Sequence, residues 1–242
     1  VHYRRFGLLA LAITASSIST LCAQGSAALG GNSSNTNIDA LTRGAPAMVY
    51  DNRLEKMHGS PYAFTRWIPG EITPANPNLR PLKAPLKYDV FHQQLLTQVN
   101  GRDSALIVPS LVMGFTLNDV VLGTDHPRRF VRFTDSPNPA YKQQFVEVLY
   151  ERPNGYSLFK RYDKGLLKAN YQGAYSSDKP YDELVDQPMY FLRRPDGRLV
   201  EVKLTRKALA AAAPALQAGL AKRDIKTEQD AVLALQAADT SK

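Results

Sequence analysis

The chain has 242 residues, 44% hydrophobic and 21% charged, with a net charge of +8. That balance excludes a disordered or fibrous chain and leaves length for one good-sized domain with its own core. A single cysteine, Cys22, excludes a disulfide framework within the chain.

Arg4 and Arg5 precede the apolar run 6–13, and small and hydroxyl residues follow through Ser19. This order of charged, apolar and polar segments is that of a secretory signal peptide, so residues 1–23 are expected to be removed and the protein exported to the periplasm, the outer membrane or the medium. The run is too short to span a bilayer, and the mature chain is expected to have no transmembrane helix. Cleavage after Ala23 competes with cleavage after Ala27 or Ala28, where small residues hold both key positions. Cys22 invites lipidation, but Leu21 stands where that signal wants a small residue. The chain stays basic without Arg4 and Arg5. In the cytosol this would point to nucleic acid. In an exported chain whose pairs Arg128-Arg129, Lys160-Arg161 and Arg193-Arg194 have acids close by, it argues against nucleic acid and is compatible with peripheral association with the envelope.

Residues 24–46 are rich in Gly, Ser, Asn and Ala and read as a flexible linker. A β-rich domain is expected over 47–204, opening near Met48-Val49-Tyr50. Gly59-Ser60-Pro61-Tyr62 reads as a turn, with short strands over 63–67 and 70–73. Prolines 69, 74, 77, 81 and 85 predict an extended covering loop outside any central strand. Tyr88, Val90 and the run 95–99 lead to the turn pair Asn100-Gly101, with 105–108 returning. Val112, Phe115 and Leu117 mark another strand, and 129–133 the next, bracketed by Pro127, Pro137 and Pro139.

Residues 145–162 give the clearest element, a hairpin around Arg152-Pro153-Asn154-Gly155. Proline presets φ at the second turn position, asparagine suits the third, and glycine supplies the positive φ of a bulged hairpin. Val146, Val148 and Tyr150 fall on one face, and Phe145 and Leu149 on the other, which predicts a central strand. Residues 163–188 show no period and read as a long loop. A second hairpin, 189–194 with 198–204, turns at Arg194-Pro195-Asp196-Gly197 and sets Val200, Val202 and Leu204 on one face. The two hairpins match in pattern more than in identity, which favours reuse of a good turn over duplication.

From Thr205 the period is helical. Thr205 caps a helix over 206–213, Pro214 opens a second with Leu216 and Leu220 on its apolar edge, and Thr227 with Asp230 opens a third through Ala238 with Val232 and Leu235 inward. Residues 205–242 thus form a helical segment packed on the same domain. The expected fold is mainly β, a β-rich α+β: about nine or ten short antiparallel strands forming a barrel or a sandwich, with C-terminal helices.

Gly59-Ser60-Pro61, Trp67, Pro69-Gly70, Leu86-Lys87-Tyr88-Asp89, Phe115-Thr116-Leu117, Phe130, the run 145–149 and Leu158-Phe159-Lys160 carry a resemblance. They resemble a group of uncharacterised secreted β-rich proteins common in Bacteroidota. The likeness covers roughly residues 48–240 and consists of structural spacings. It implies an exported, envelope-associated protein and brings no substrate, cofactor or site residues.

Chemistry is sparse. Of the histidines beyond the leader, His58, His92 and His126, none sits at helical zinc spacing, so no metal site is expected. His126 after Asp125 reads as a polar turn before Pro127, and His92 as a solvated outward residue on a strand. No nucleophile elbow or phosphate loop occurs. Glu147 and Glu151 share a strand face about 13 Å apart, too far to cooperate without other partners. No catalytic residue and no cofactor are therefore expected, and the chain is read as not an enzyme.

Tyrosines with lysines are the better lead. Tyr162 and Tyr190 flank the long loop, and within or beside it Tyr171, Tyr175, Tyr181, Lys164 and Lys168 are the candidate binding residues. They suit a protein, a glycan or a small apolar ligand, or else cover the sheet edge, which is the commoner use. The expected function is a non-enzymatic structural or binding module of the envelope, with a small-ligand carrier built around a barrel cavity as the alternative.

Overall fold

The computed structural model describes residues 57–240 except 100, 102, 122–123, 170–180 and 221–222. The expected signal peptide, the linker and the opening at Met48-Val49-Tyr50 lie outside the described residues.

The main sheet is antiparallel throughout. Its strands are β2 (Ile68–Pro74), β3 (Leu82–Asp89), β4 (Gln94–Val99), β5 (Asp103–Ile107), β6 (Val112–Val121), β7 (Thr124–Arg132), β8 (Phe145–Glu151), β9 (Ser157–Arg161), β12 (Met189–Arg193) and β13 (Leu199–Val202). They run in the order β13-β12-β9-β8-β7-β6-β2-β3-β4-β5. A small second sheet holds β1 (Met57–His58), β11 (Asp182–Asp186) and β10 (Lys164–Leu167), in that order.

The large sheet curls over its inner face, because Tyr88 on β3 packs its ring on Phe115, Phe130 and Phe145 of β6, β7 and β8 at 5.7, 6.0 and 6.2 Å. With β13 and β5 at opposite ends of the order, this is an open, sandwich-like curl, and the barrel expected as an alternative to the sandwich does not form. Phe115 and Phe130 stack at 4.5 Å in the middle of the hollow, and Ile68, Ile72, Leu86 and Leu117 fill around them.

The other end of the inner face is covered by α1 (Arg206–Ala212), α2 (Gln217–Leu220) and α3 (Glu228–Thr240). Leu209, Leu216, Leu220 and Leu235 pack there on Leu158, Leu192 and Val202. Their starts follow the sequence. Thr205 Oγ1 accepts from the Ala208 amide at 3.3 Å, Pro214 opens the short turn before α2, and Thr227 and Asp230 exchange bonds of 2.9 and 3.1 Å. A smaller cluster of Phe133, Val146, Phe159 and Phe191 lies on the outer face.

Six expectations are corrected. Residues 63–67 form no strand. Prolines 69 and 85 sit inside central strands, directly opposite each other, rather than in a covering loop. They are tolerated because the ladder from β2 to β6 starts at Gly70 and that from β3 to β4 at Leu86, so neither proline faces a partner needing its missing N–H. Pro127 likewise lies within β7, where β8 has not yet begun to pair.

On β8 a bulge between Val148 and Tyr150 leaves Leu149 as the extra residue. Tyr150 therefore leaves the face of Val146 and Val148 and joins Leu149 under the helices.

The two proline turns also differ. Gly197 takes φ +80, as a type I turn with a bulge requires. In the first turn Asn154, at φ +56, holds the left-handed position, and Gly155 does not. Finally, residues 163–188 are not one unstructured loop, since β10 and β11 pair within them and β1 adds in parallel.

Candidate functional site

Tyr171 and Tyr175 lie outside the described residues. The other candidate binding residues lie in or directly beside the small sheet and are engaged within the chain. Lys164 Nζ meets Asp186 at 2.6 Å, Lys168 Nζ meets Asp182 at 3.2 Å, and the Tyr181 ring stacks on His58 with centroids 3.5 Å apart. The lysines thus tie β10 to β11, and Tyr181 ties the end of that hairpin to β1.

A buried polar network lies on the inner face, in the seam between the aromatic hollow and the helices. Cross-strand register puts it there: Glu147 stands opposite Phe130 on one side and Lys160 on the other. Glu147 is buried, and Tyr162 donates its hydroxyl to Oε2 at 2.6 Å. Arg128 donates to the Tyr162 hydroxyl at 3.0 Å, approaches Glu147 Oε1 at 3.8 Å and lies 4.8 Å over the Phe64 ring. Lys160 reaches Glu228 of α3 at 2.6 Å, and Tyr190 donates to the same oxygen at 2.7 Å.

Electrostatics follows from this geometry. Burial pushes the Glu147 carboxyl up, against the hydrogen bond from Tyr162 and the charges of Arg128 and Lys160. Burial and then the Glu147 charge push the Tyr162 hydroxyl far up, so its proton stays on the ring. Burial also works to raise Glu228, but its bonds from Lys160 and Tyr190 outweigh that and hold it low. Each acid is matched to a cation and a phenol, and the bonds of Glu228 tie α3 to the sheet.

Glu151, the other acid of the proposed pair, is on the opposite face from Glu147, because the bulge reverses the alternation. It answers Arg129 and, at 3.1 Å, Arg193. Arg193 also lies 5.2 Å over the Phe159 ring. Beside it an open cleft of about 560 Å³ separates the two proline turns, lined among others by Asp135, Glu151, Arg152 and Arg194.

The histidines are placed differently from expectation. His92 lies in the turn between β3 and β4, not on a strand, and its Nδ1 is 2.8 Å from Asp89 Oδ2. The buried Asp89 also accepts from the His92 amide at 2.9 Å, so the carboxylate fixes the ring. His126 is an exposed residue within β7, opposite Asp119, rather than part of a turn. Among the described residues no cluster of three or more His, Cys, Asp or Glu has the geometry to hold a metal. Nor is any helix among them long and apolar enough to cross a membrane.

Sequence reasoning missed one cluster on the outer face. Lys87 alternates outward from the buried neighbours Leu86 and Tyr88. Its ammonium lies 4.6 Å over the Tyr62 ring and 4.9 Å over the Trp67 ring. Trp67 arrives there because it precedes the pair Ile68↔Leu86 by one residue, and Tyr62 because it bridges to Asp89. Between them the chain arches away, carrying Phe64 to Tyr162 and Arg66 to Asp119.

Lys87 has no carboxylate partner among the described residues, and burial alone draws its pKa below the ordinary lysine value. Nearby on the same face, the buried Oε1 of Gln94 has no hydrogen-bond donor. The only sequence signal for the cluster was the chain's single tryptophan. No family model, no curated protein and no solved structure matches this chain.

Proposed function

We propose that the protein is an exported, non-enzymatic binding module of the cell envelope that presents the outer face of its sheet to an anionic ligand. The leader-like order of Arg4, Arg5 and the apolar run 6–13 supports export. The closed pairing of Glu147, Tyr162, Arg128, Lys160 and Glu228 supports a structural role for this buried acid rather than proton transfer to a substrate.

Lys87 is the observation that carries the binding role. A cation drawn partly out of water without a carboxylate costs free energy that an incoming anion recovers, and two ring faces give the ligand apolar walls. A carrier with an interior cavity has less support, since rings of Tyr88, Phe115, Phe130 and Phe145 occupy the inner hollow.

Trp67, the only tryptophan, reports on the site directly. Its emission is expected to change saturably on adding at least one of two carboxylate polymers, polygalacturonate or polyglutamate, and to stay flat in Lys87→Met. No change with either polymer, or an equal change in Lys87→Met, overturns the reading.

A further inference from the structure

We propose that the ligand held at Lys87 is a carboxylated saccharide, with a uronate carboxylate on Lys87 Nζ, the sugar ring against Trp67, and a sugar hydroxyl donating to Gln94. The inference rests on reading Lys87 as an anion site and names what kind of anion fills it.

Charge is the first argument. One ammonium with ring contacts but no carboxylate partner among the described residues matches one monovalent carboxylate. A phosphate dianion is matched better by a bidentate guanidinium beside the ammonium, and Arg129 and Arg193 of this face both answer Glu151.

Shape is the second. Trp67 and Tyr62 are both half-buried and flank the ammonium, and beside them lie the exposed prolines 69 and 85. That sets apolar ring and proline surfaces beside a charge, which suits the C–H face of a pyranose carrying a carboxylate at its edge. A flexible acidic peptide gains less from it, because its apolar surface is small and its ordering costs more entropy.

Hydrogen bonding is the third and separates a sugar from other carboxylates. Lys87 pairs with Leu96 across the β3–β4 ladder, so Gln94, two residues away on the same strand and face, is its diagonal neighbour at about 7–8 Å between backbones. That distance is spanned by one sugar residue. Gln94 Oε1 is a buried acceptor without a donor, and rotation about its terminal torsion offers it to a ligand hydroxyl. A uronate supplies both a carboxylate and hydroxyl donors; a simple carboxylate supplies only the first.

The test uses the full chain and Trp67 emission, with three trimeric probes: tri-galacturonate, triglutamate and neutral galactotriose. Tri-galacturonate is expected to bind at least about tenfold more tightly than either other probe. Gln94→Leu should remove most of that advantage while leaving the weak triglutamate response in place. Lys87→Met should abolish the response to both acids, and Lys87→Arg should restore part of it; the Lys87→Arg chain also decides the case if Lys87→Met does not fold.

Equal binding of tri-galacturonate and triglutamate overturns the saccharide assignment and leaves the anion site standing. No response to either acid, or a response to galactotriose equal to that for tri-galacturonate, overturns both.

Discussion

Tyr162 holds Glu147 at 2.6 Å, and this one bond joins the two halves of the inner face. Tyr162 belongs to the aromatic hollow with Phe64 and Phe130, whereas Glu147 sits beside Lys160, which reaches the last helix. The Glu147 carboxyl is raised, chiefly by burial, so the folded chain holds this proton to higher pH than the unfolded chain does. Its contribution to stability therefore falls as pH rises above the ordinary carboxylate range. In Glu147→Gln that decline is expected to vanish, which melting temperatures between pH 4 and pH 7 will show. Glu147→Ala, by contrast, should be destabilising at every pH, because it leaves Tyr162 without an acceptor.

Glu228 has the opposite sign. Its carboxyl is held low by Lys160 and Tyr190, so it stabilises the fold above its ordinary range and that contribution is lost as pH falls through its lowered value. Glu228→Gln is expected to cost about 1 kcal/mol at pH 7, a modest figure because the side chain is partly exposed. At a pH well below that lowered value the variant and the parent should converge. Urea unfolding at the two pH values measures the difference.

The two proline turns predict a contrast between glycines that look equivalent in sequence. Gly197 needs φ +80, and Gly197→Ala is expected to cost about 1–2 kcal/mol. Gly155 needs no positive φ, and the nearest atoms to an added Cβ are Cβ, Cγ and Cδ of Arg152 at 3.0 Å, in an exposed turn where a shift of a few tenths of an ångström relieves the contact. Gly155→Ala should therefore cost clearly less, while Asn154→Gly should be neutral or stabilising because Asn154 holds the left-handed position. Thermal unfolding of the three variants checks the order.

What was legible in the sequence was local. Both proline tetrads, the Thr205 cap and the Thr227–Asp230 exchange involve residues within four positions of one another, and each formed where expected. Three things were not legible. The bulge at Leu149 adds one residue, and a count of alternate positions then assigns Tyr150 and Glu151 to the wrong faces. The prolines of β2 and β3 are admitted by where neighbouring ladders begin, which depends on partners distant in sequence. The seam network draws on Arg128, Glu147, Lys160, Tyr162, Tyr190 and Glu228, and only the sheet order brings them together. The Lys87 cluster was hidden for the same reason, since Tyr62 and Trp67 flank it only because the intervening residues arch away.

The titration of Lys87 itself tests the binding role most directly. With lysine side chains isotopically labelled, nuclear magnetic resonance reads the ammonium of each residue separately, and Lys87→Met identifies the signal. The account predicts that Lys87 titrates below the ordinary lysine value in the free protein, because burial disfavours its charge, and moves upward when tri-galacturonate saturates the site, because a bound carboxylate favours that charge. A Lys87 that titrates at the ordinary value and does not move with the ligand would contradict it.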